Sequence, residues 1–394
     1  MSKLKQVLVS GASITGPVLA YWLTRHGFSV TVVERSPTPR KTGGHAVDLF
    51  RPAVEISEKM GLLPLLAERA IKTTRMTLYR EGKRRPVRAD LTKVFSDQHL
   101  EVMRDDLSEL YTAAGRDDVS YVYGDSVTAI SPDGDVEFEN AAPRRFDLVV
   151  GADGLHSTTR RLVFGEESSR FIGAYLGTFT LPHDFGSDHE LRMHVGVGRT
   201  AGMYGVPHLG EARALFLFRR EQIADRGVPR QMGILRAAFT GMHAEVDRWL
   251  DELHRTPAFY FDAITQVHMN TWSRGRVTLV GDAGYSPGPA VGGSASLAIV
   301  GAYVLAGELA RAGGDHKRAY PAYERAMASY VRGSREVALR AARTIVPRSR
   351  LGVAGLAQGA RLISALPSGP SRVLLRLATK SARLHDAVTV DSYP

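Results

Sequence analysis

Six residues near the start of the chain, Gly11-Ala12-Ser13-Ile14-Thr15-Gly16, follow a short apolar run and open a segment with helical spacing. Glycines at this spacing let a backbone turn tightly enough to approach a pyrophosphate, whose charge then rests on the amides of a helix N-terminus. Ser13 stands where the usual pattern has its second glycine, and it adds a small hydroxyl donor. Glu34 ends the next strand-like run, where a carboxylate can accept bonds from a ribose hydroxyl pair. The chemistry expected of this stretch is dinucleotide binding.

Two later stretches have a related form. Leu148-Val149-Val150-Gly151-Ala152-Asp153-Gly154 is followed by Ser157 and Arg160, and Val280-Gly281-Asp282-Ala283 by Pro289 and Gly292. Each is an apolar run that ends in glycine and then aspartate, as expected of buried parallel strands whose C-terminal ends carry ligand-facing turns.

In this order and at these distances, the three stretches resemble the fingerprints of the class A flavin monooxygenases, the aromatic-hydroxylase family that includes para-hydroxybenzoate hydroxylase and the tetracycline-inactivating monooxygenases. The resemblance implies an FAD site. Gly11, Ser13, Ile14, Thr15, Gly16 and Glu34 correspond to its ADP half, with Arg35 at the adenosine edge. Arg104, in Glu101-Val102-Met103-Arg104, matches an arginine near the pyrophosphate and ribityl chain, and Gly44 and Asp48 match the loop beside the flavin ring. Asp153 is expected to hold parts of the pyrophosphate site together or to touch the visiting nicotinamide, and Asp282, on the cofactor-binding turn with Gly281, to accept from a ribityl hydroxyl. Pro289, Gly292, Gly293 and Ser294 are expected at the pyrimidine edge of the ring. Relatives commonly have Gly-Gln-Gly there, so Ser294 is a departure, and it would restrict a turn that requires positive φ.

The chemistry implied is the cofactor's. NADPH or NADH reduces FAD, O2 forms a flavin C4a-hydroperoxide, and one oxygen atom passes to a small aromatic or polycyclic substrate. No protein nucleophile, catalytic base or metal is required, and the nicotinamide is a transient visitor. Candidate substrate-pocket residues are His45, His194, Tyr204, Phe216 and Tyr285, with Met203 and Phe218 also eligible. An alternative reading keeps FAD as a structural, non-redox group that promotes a cyclisation or rearrangement. Ser294 motivates it. A flavin-dependent halogenase is disfavoured because Trp22, Trp249 and Trp272 are scattered and no Trp-x-Trp-x-Ile-Pro stretch occurs.

These residues need a scaffold of an α/β kind. Gln6–Ser10, Ile14–His26 and Phe28–Glu34 read as strand, helix and strand, and the runs ending at Gly151 and Gly281 complete one nucleotide-binding sheet. The expected fold is a Rossmann-like FAD-binding domain with an inserted, mostly antiparallel sheet and a helical C-terminal region. The FAD-binding parts span 1–170 and 269–330, the substrate sheet 171–268 with contributions from about 72–102, and the helical region 331–394. Leu191–Val197 and Ala212–Phe218 are strand-like, Leu297–Ala312 and Tyr320–Ala342 helical, and Ser371–Ala382 is a basic amphipathic stretch.

A chain of 394 residues with 44% hydrophobic residues supports large cores. Lys and Arg number 51 against 41 Asp and Glu, a net charge of +10. That charge lies in no tight basic cluster with interleaved aromatics, so nucleic acid is not an expected partner. The absence of cysteine excludes disulfides and thiolate chemistry. The apolar run Val7-Leu8-Val9 is too short for a signal-peptide core, and no segment is expected to reach membrane-span length without charges. A cytoplasmic protein without stable membrane insertion, monomeric or homodimeric, is the expectation.

Overall fold

Val7, Leu8 and Val9 are fully buried at the centre of a six-stranded sheet, because the strand Gln6–Ser10 has neighbours on both edges and layers on both faces. The computed structural model describes residues 4–39, 44–93, 99–165, 168–223, 227–289, 293–365, 384–385 and 387–394. In this sheet Ser29–Glu34 and Leu148–Gly151 flank Gln6–Ser10, all parallel. Val277–Leu279 lies parallel on the far side of Leu148–Gly151. The register aligns Ser10 with Gly151 and Gly151 with Leu279, so three turns distant in sequence emerge side by side at one sheet edge. This is the α/β unit that the sequence predicts.

A seven-stranded sheet stands beside it, in the order Phe259–Val267, Ser169–Pro182, Glu211–Arg219, Arg199–Val206, Glu190–Gly196, Arg75–Arg80, Val87–Asp90. It is antiparallel except where Glu190–Gly196 runs parallel to Arg75–Arg80. One face is covered by the helices Val228–Phe239 and Ala244–Asp251, whose Phe239, Val246 and Trp249 join a core with Phe179 and Phe216. The other face turns toward the C-terminal edge of the first sheet.

The helix Ser294–Arg311 packs on Thr15–Arg25 and His316–Ile345. Its 18 residues are long and apolar enough to cross a bilayer by length and composition, but they include the charged Glu308 and Arg311. Ile299, Leu305 and Leu309 are fully buried, so its apolarity is that of a core helix. The helix His316–Ile345, capped by the Asp315 carboxylate on Lys317 N at 3.0 Å, and the helix Arg350–Ala365 give the C-terminal region its helical character. Arg350–Ala365 lies against Val87–Asp90 and Arg75–Arg80. The stretch 371–382 lies outside the described residues.

Candidate functional site

The three aligned turns and the inner face of the seven-stranded sheet enclose one continuous cavity of about 800 Å³. Its near end is the first glycine loop. A Cβ on Gly16 would lie 1.9 Å from the Gly11 carbonyl oxygen, so this glycine lets the helix Thr15–Arg25 seat against the loop. Gly11, at φ +108, would bring a Cβ within 2.6 Å of the Ala152 carbonyl oxygen, so the first and second turns touch. Glu34 reaches back and accepts from Ala12 N at 3.0 Å and Ser36 N at 2.9 Å, bracing the loop from the next strand.

Arg104 begins the helix Arg104–Ala114, and its guanidinium donates to Ser13 Oγ at 3.2 Å. The Ser13 hydroxyl therefore links the loop to a cation on the cavity wall. Asp153 accepts from Ser157 Oγ at 2.5 Å, Thr159 N at 2.9 Å and Thr159 Oγ1 at 3.0 Å, and so fixes the start of the helix Thr158–Phe164. From that helix Arg160 donates to Leu155 O and Ala283 O, each at 2.7 Å, which clamps the second turn to the third. On the third turn, burial raises the Asp282 carboxyl above its ordinary pKa, opposed by the Ser294 hydroxyl and then by Arg104.

Ser294 donates to Asp282 Oδ1 at 2.5 Å. The left-handed residue of this turn is Gly293, at φ +64, and Ser294 is already the first residue of the helix. The expectation that Ser294 restricts a positive-φ turn is thus corrected by one position: the backbone demand falls on a glycine. Ser296 accepts from Phe50 N and donates to Asp48 O, both at 3.0 Å, tying this helix start to the strand Ala46–Leu49.

Gly11, Ser13, Ile14, Thr15, Glu34 and Arg35 line the cavity at the loop end. Asp48, Arg104, Asp153, Asp282, Pro289, Gly293 and Ser294 line it further on. Gly16, Gly44 and Gly281 are not part of its lining; Gly44 packs beside Arg104, and Gly281 against Thr15. Gly292 lies outside the described residues. The loop amides, two helix N-termini at Thr15 and Ser294 and the Arg104 cation suit an elongated, anionic dinucleotide, and the cavity leaves room beyond them.

That further room is bounded by the inserted sheet. Leu191, Met193, Leu215 and Leu217 face it, and Val337, Ile345 and Leu356 close it from the C-terminal helices. Among the expected pocket residues, His45 and Tyr204 line the cavity, and Tyr204 Oη accepts from Ala46 N at 2.8 Å. His194, Phe216 and Tyr285 do not. Successive strand residues point to opposite faces, so with Met193 and Leu217 facing the cavity, His194 and Phe216 face away. His194 stacks on Tyr79 and bonds Glu245 at 2.9 Å, and Phe216 stacks on Phe179. Tyr285 is fully buried and accepts from Tyr323 Oη at 2.9 Å. Met203 and Phe218 belong to the same distal core.

Polar residues that motif reading passed over also line this space: Glu101, His156, Tyr260 and Asp262. Burial, reinforced by the Asp48 charge across the strand pair, raises the Glu101 carboxyl well above its ordinary pKa. Burial, and then Arg104, lowers His45 to about 4, so the imidazole is neutral at physiological pH. Glu101 was within reach of the sequence, three residues before Arg104; Tyr260 and Asp262 carried only a strand-like i, i+2 spacing.

The FAD binding domain family matches residues 5–341. An uncharacterized protein of Mycobacterium tuberculosis (strain H37Rv) is 40% identical over 335 residues, 81% of this chain and 89% of the relative. A flavin-dependent monooxygenase of Legionella longbeachae is 35% identical over 342 residues, 84% of this chain and 87% of the relative. The crystal structure of tetracycline destructase Tet(55) superposes with a TM-score of 0.84 at 30% identity, covering 100% of both chains. Klebsiella pneumoniae HpxO, solved with FAD and uric acid, shares the fold at 21% identity, with a TM-score of 0.77 over 96% of this chain and 97% of that one. With the family matched along most of its length and the fold shared from end to end, the chain belongs to the FAD-dependent monooxygenases.

Proposed function

We propose that the protein uses NADPH or NADH and O2 to oxygenate a small, largely apolar aromatic or polycyclic substrate held between FAD and the inserted sheet. The single observation that carries this reading is the continuity of the cavity from the glycine loop to an apolar wall of Leu191, Met193, Leu215 and Leu217. Residues 1–170 and 269–330 would serve the cofactor and 171–268 with about 72–102 the substrate, while Val337, Ile345 and Leu356 of the C-terminal helical region, 331–394, would close the pocket. Bound FAD supplies the redox chemistry: it accepts hydride and activates O2.

The chain's own residues bind, orient and exclude water. The amides at Thr15 and the Arg104 guanidinium would hold the pyrophosphate, Glu34 and Arg35 the adenosine end, and Asp282 the ribityl hydroxyls. The helix N-terminus at Gly293 and Ser294 would offer positive potential to the flavin ring and so favour its negative charge. Tyr204, Glu101 and neutral His45 offer hydrogen bonds that orient a substrate, while the apolar wall keeps water from the reacting centre. The tetracycline destructase likeness supports a multi-ring substrate. The burial of the apolar helix Ser294–Arg311 supports a protein without stable membrane insertion, which we take to act in the cytoplasm as a monomer or homodimer.

The experiment is anaerobic reduction of the holoprotein by NADPH or NADH with a panel of multi-ring phenols and polyketides, followed by 18O2. A compound that accelerates flavin bleaching and gains one labelled oxygen identifies the substrate class. Bleaching without oxygen transfer to any of them removes the substrate reading.

A further inference from the structure

Three side chains on the cavity wall form a hydrogen-bonded line from the interior to solvent. Tyr260 Oη donates to Asp262 Oδ2 at 3.2 Å, and His156 Nε2 lies 2.9 Å from the same oxygen. Tyr260 and Asp262 alternate on the strand Phe259–Val267 and so share a face, while His156 follows the Asp153-Gly154 turn. Thus the line crosses the seam between the two sheets, and all three residues line the cavity. The His156 side chain is 56% exposed and that of Asp262 only 17%. At the inner end Tyr260 lies within the electrostatic reach of Arg104 and Asp282, with its ring centroid 6.5 Å from that of His45. Burial, and then the Asp262 carboxylate, keep the Tyr260 hydroxyl protonated. Asp262 Oδ1 accepts from Ala263 N at 2.8 Å, which fixes the carboxylate between its two partners.

The reaction needs such a line. NAD(P)H, O2, one proton and the substrate give NAD(P)+, water and a product with one added oxygen. Hydride reduces the flavin without drawing a proton from solvent, so the proton enters while O2 is consumed. Without substrate O2 becomes H2O2, with the same uptake of one proton. Once cofactor and substrate fill the cavity and displace its water, a fixed line of side chains gives this proton a route from solvent.

We propose that His156, Asp262 and Tyr260 are the path by which this proton enters the cavity. His156 takes a proton from solvent and passes it from Nε2 to Asp262 Oδ2. Tyr260 Oη receives it as its own hydroxyl proton goes to an acceptor in the cavity, leaving Asp262 ionised and His156 neutral until it is reprotonated. The proposal rests on the FAD monooxygenase reading but on neither the substrate nor the nicotinamide.

The test uses photoreduced holoprotein mixed with O2 in weakly buffered solution containing a pH indicator, with no substrate and no nicotinamide. In the wild type proton uptake keeps pace with flavin reoxidation, and both slow in D2O. His156→Gln and Tyr260→Phe, each at wild-type FAD content, take up protons roughly a hundredfold more slowly. Imidazole restores the rate in His156→Gln, whose site opens to solvent, and does not in Tyr260→Phe. Imidazole 15N spectra of the unreacted protein give a readout apart from turnover: Asp262→Asn shifts the His156 Nε2 resonance. A wild-type uptake rate in either variant, slowing of His156→Gln that imidazole does not rescue, or an unmoved His156 resonance would each overturn the path. Failure of NADPH and NADH to reduce the flavin would count against the proposed function and leave this result standing.

Discussion

The Ser294 hydroxyl donates to Asp282 Oδ1 at 2.5 Å, joining the first residue of a long helix to the carboxylate on the neighbouring turn. Asp282 is thereby kept available as an acceptor even though burial works against its charge. Ser294→Ala is expected to weaken FAD binding by about 1.5–3 kcal/mol, the scale of a charge-assisted hydrogen bond. Asp282→Ala is expected to lose FAD occupancy. Flavin fluorescence titration of apoprotein measures both, and unchanged affinity in Asp282→Ala would remove its ribityl role.

Gly16 is expected to be the least replaceable residue of the first loop. A Cβ there would overlap the Gly11 carbonyl oxygen at 1.9 Å, so Gly16→Val must move the helix Thr15–Arg25 off the loop. We expect a loss of about 3 kcal/mol or more in apoprotein stability, together with loss of FAD. Thermal unfolding of apoprotein separates the two effects, since a variant that fails only through a blocked phosphate site would melt normally.

Opposite faces of one strand give a paired prediction. Met193→Trp fills the cavity and should raise KM for a multi-ring substrate about tenfold or more while FAD content is kept. His194→Phe, on the other face, should leave KM in place and cost about 1–3 kcal/mol of stability, because Glu245 loses a buried partner. Steady-state kinetics and thermal melts read the two columns of effect independently.

Much of the cofactor end was legible because its requirements are local. A glycine turn between a strand and a helix, and an aspartate just past a buried strand, are properties of short stretches, and the register of Ser10, Gly151 and Leu279 then brings them together. The substrate end was less legible for a physical reason. Helices cover one face of the inserted sheet and the cavity wall the other, so Leu215, Phe216 and Leu217 are all apolar and alternation gives no sign of which side is which. The Ser294 expectation missed by one residue because a turn's φ values are set by the helix start, which composition locates only approximately.

Glu101 supplies a pH signature. Its carboxyl is raised in the folded protein, so the folded state binds the extra proton and is favoured at low pH. That contribution is full below the ordinary carboxylate range and is lost as pH rises through the elevated folded value. Glu101→Gln should therefore match the wild type in melting temperature near pH 4 and exceed it at alkaline pH. Parallel melting curves across that range would contradict a proton held on Glu101.

The central claim, one cavity with FAD at one end and substrate at the other, is tested most directly by the visible spectrum of the purified protein. The spectrum is recorded anaerobically, before and after NADPH or NADH, and again on admitting O2. The account predicts flavin bands near one FAD per chain that bleach with the nicotinamide and return with oxygen, faster when a multi-ring substrate is present. Protein that carries no flavin and takes up none from added FAD would contradict it.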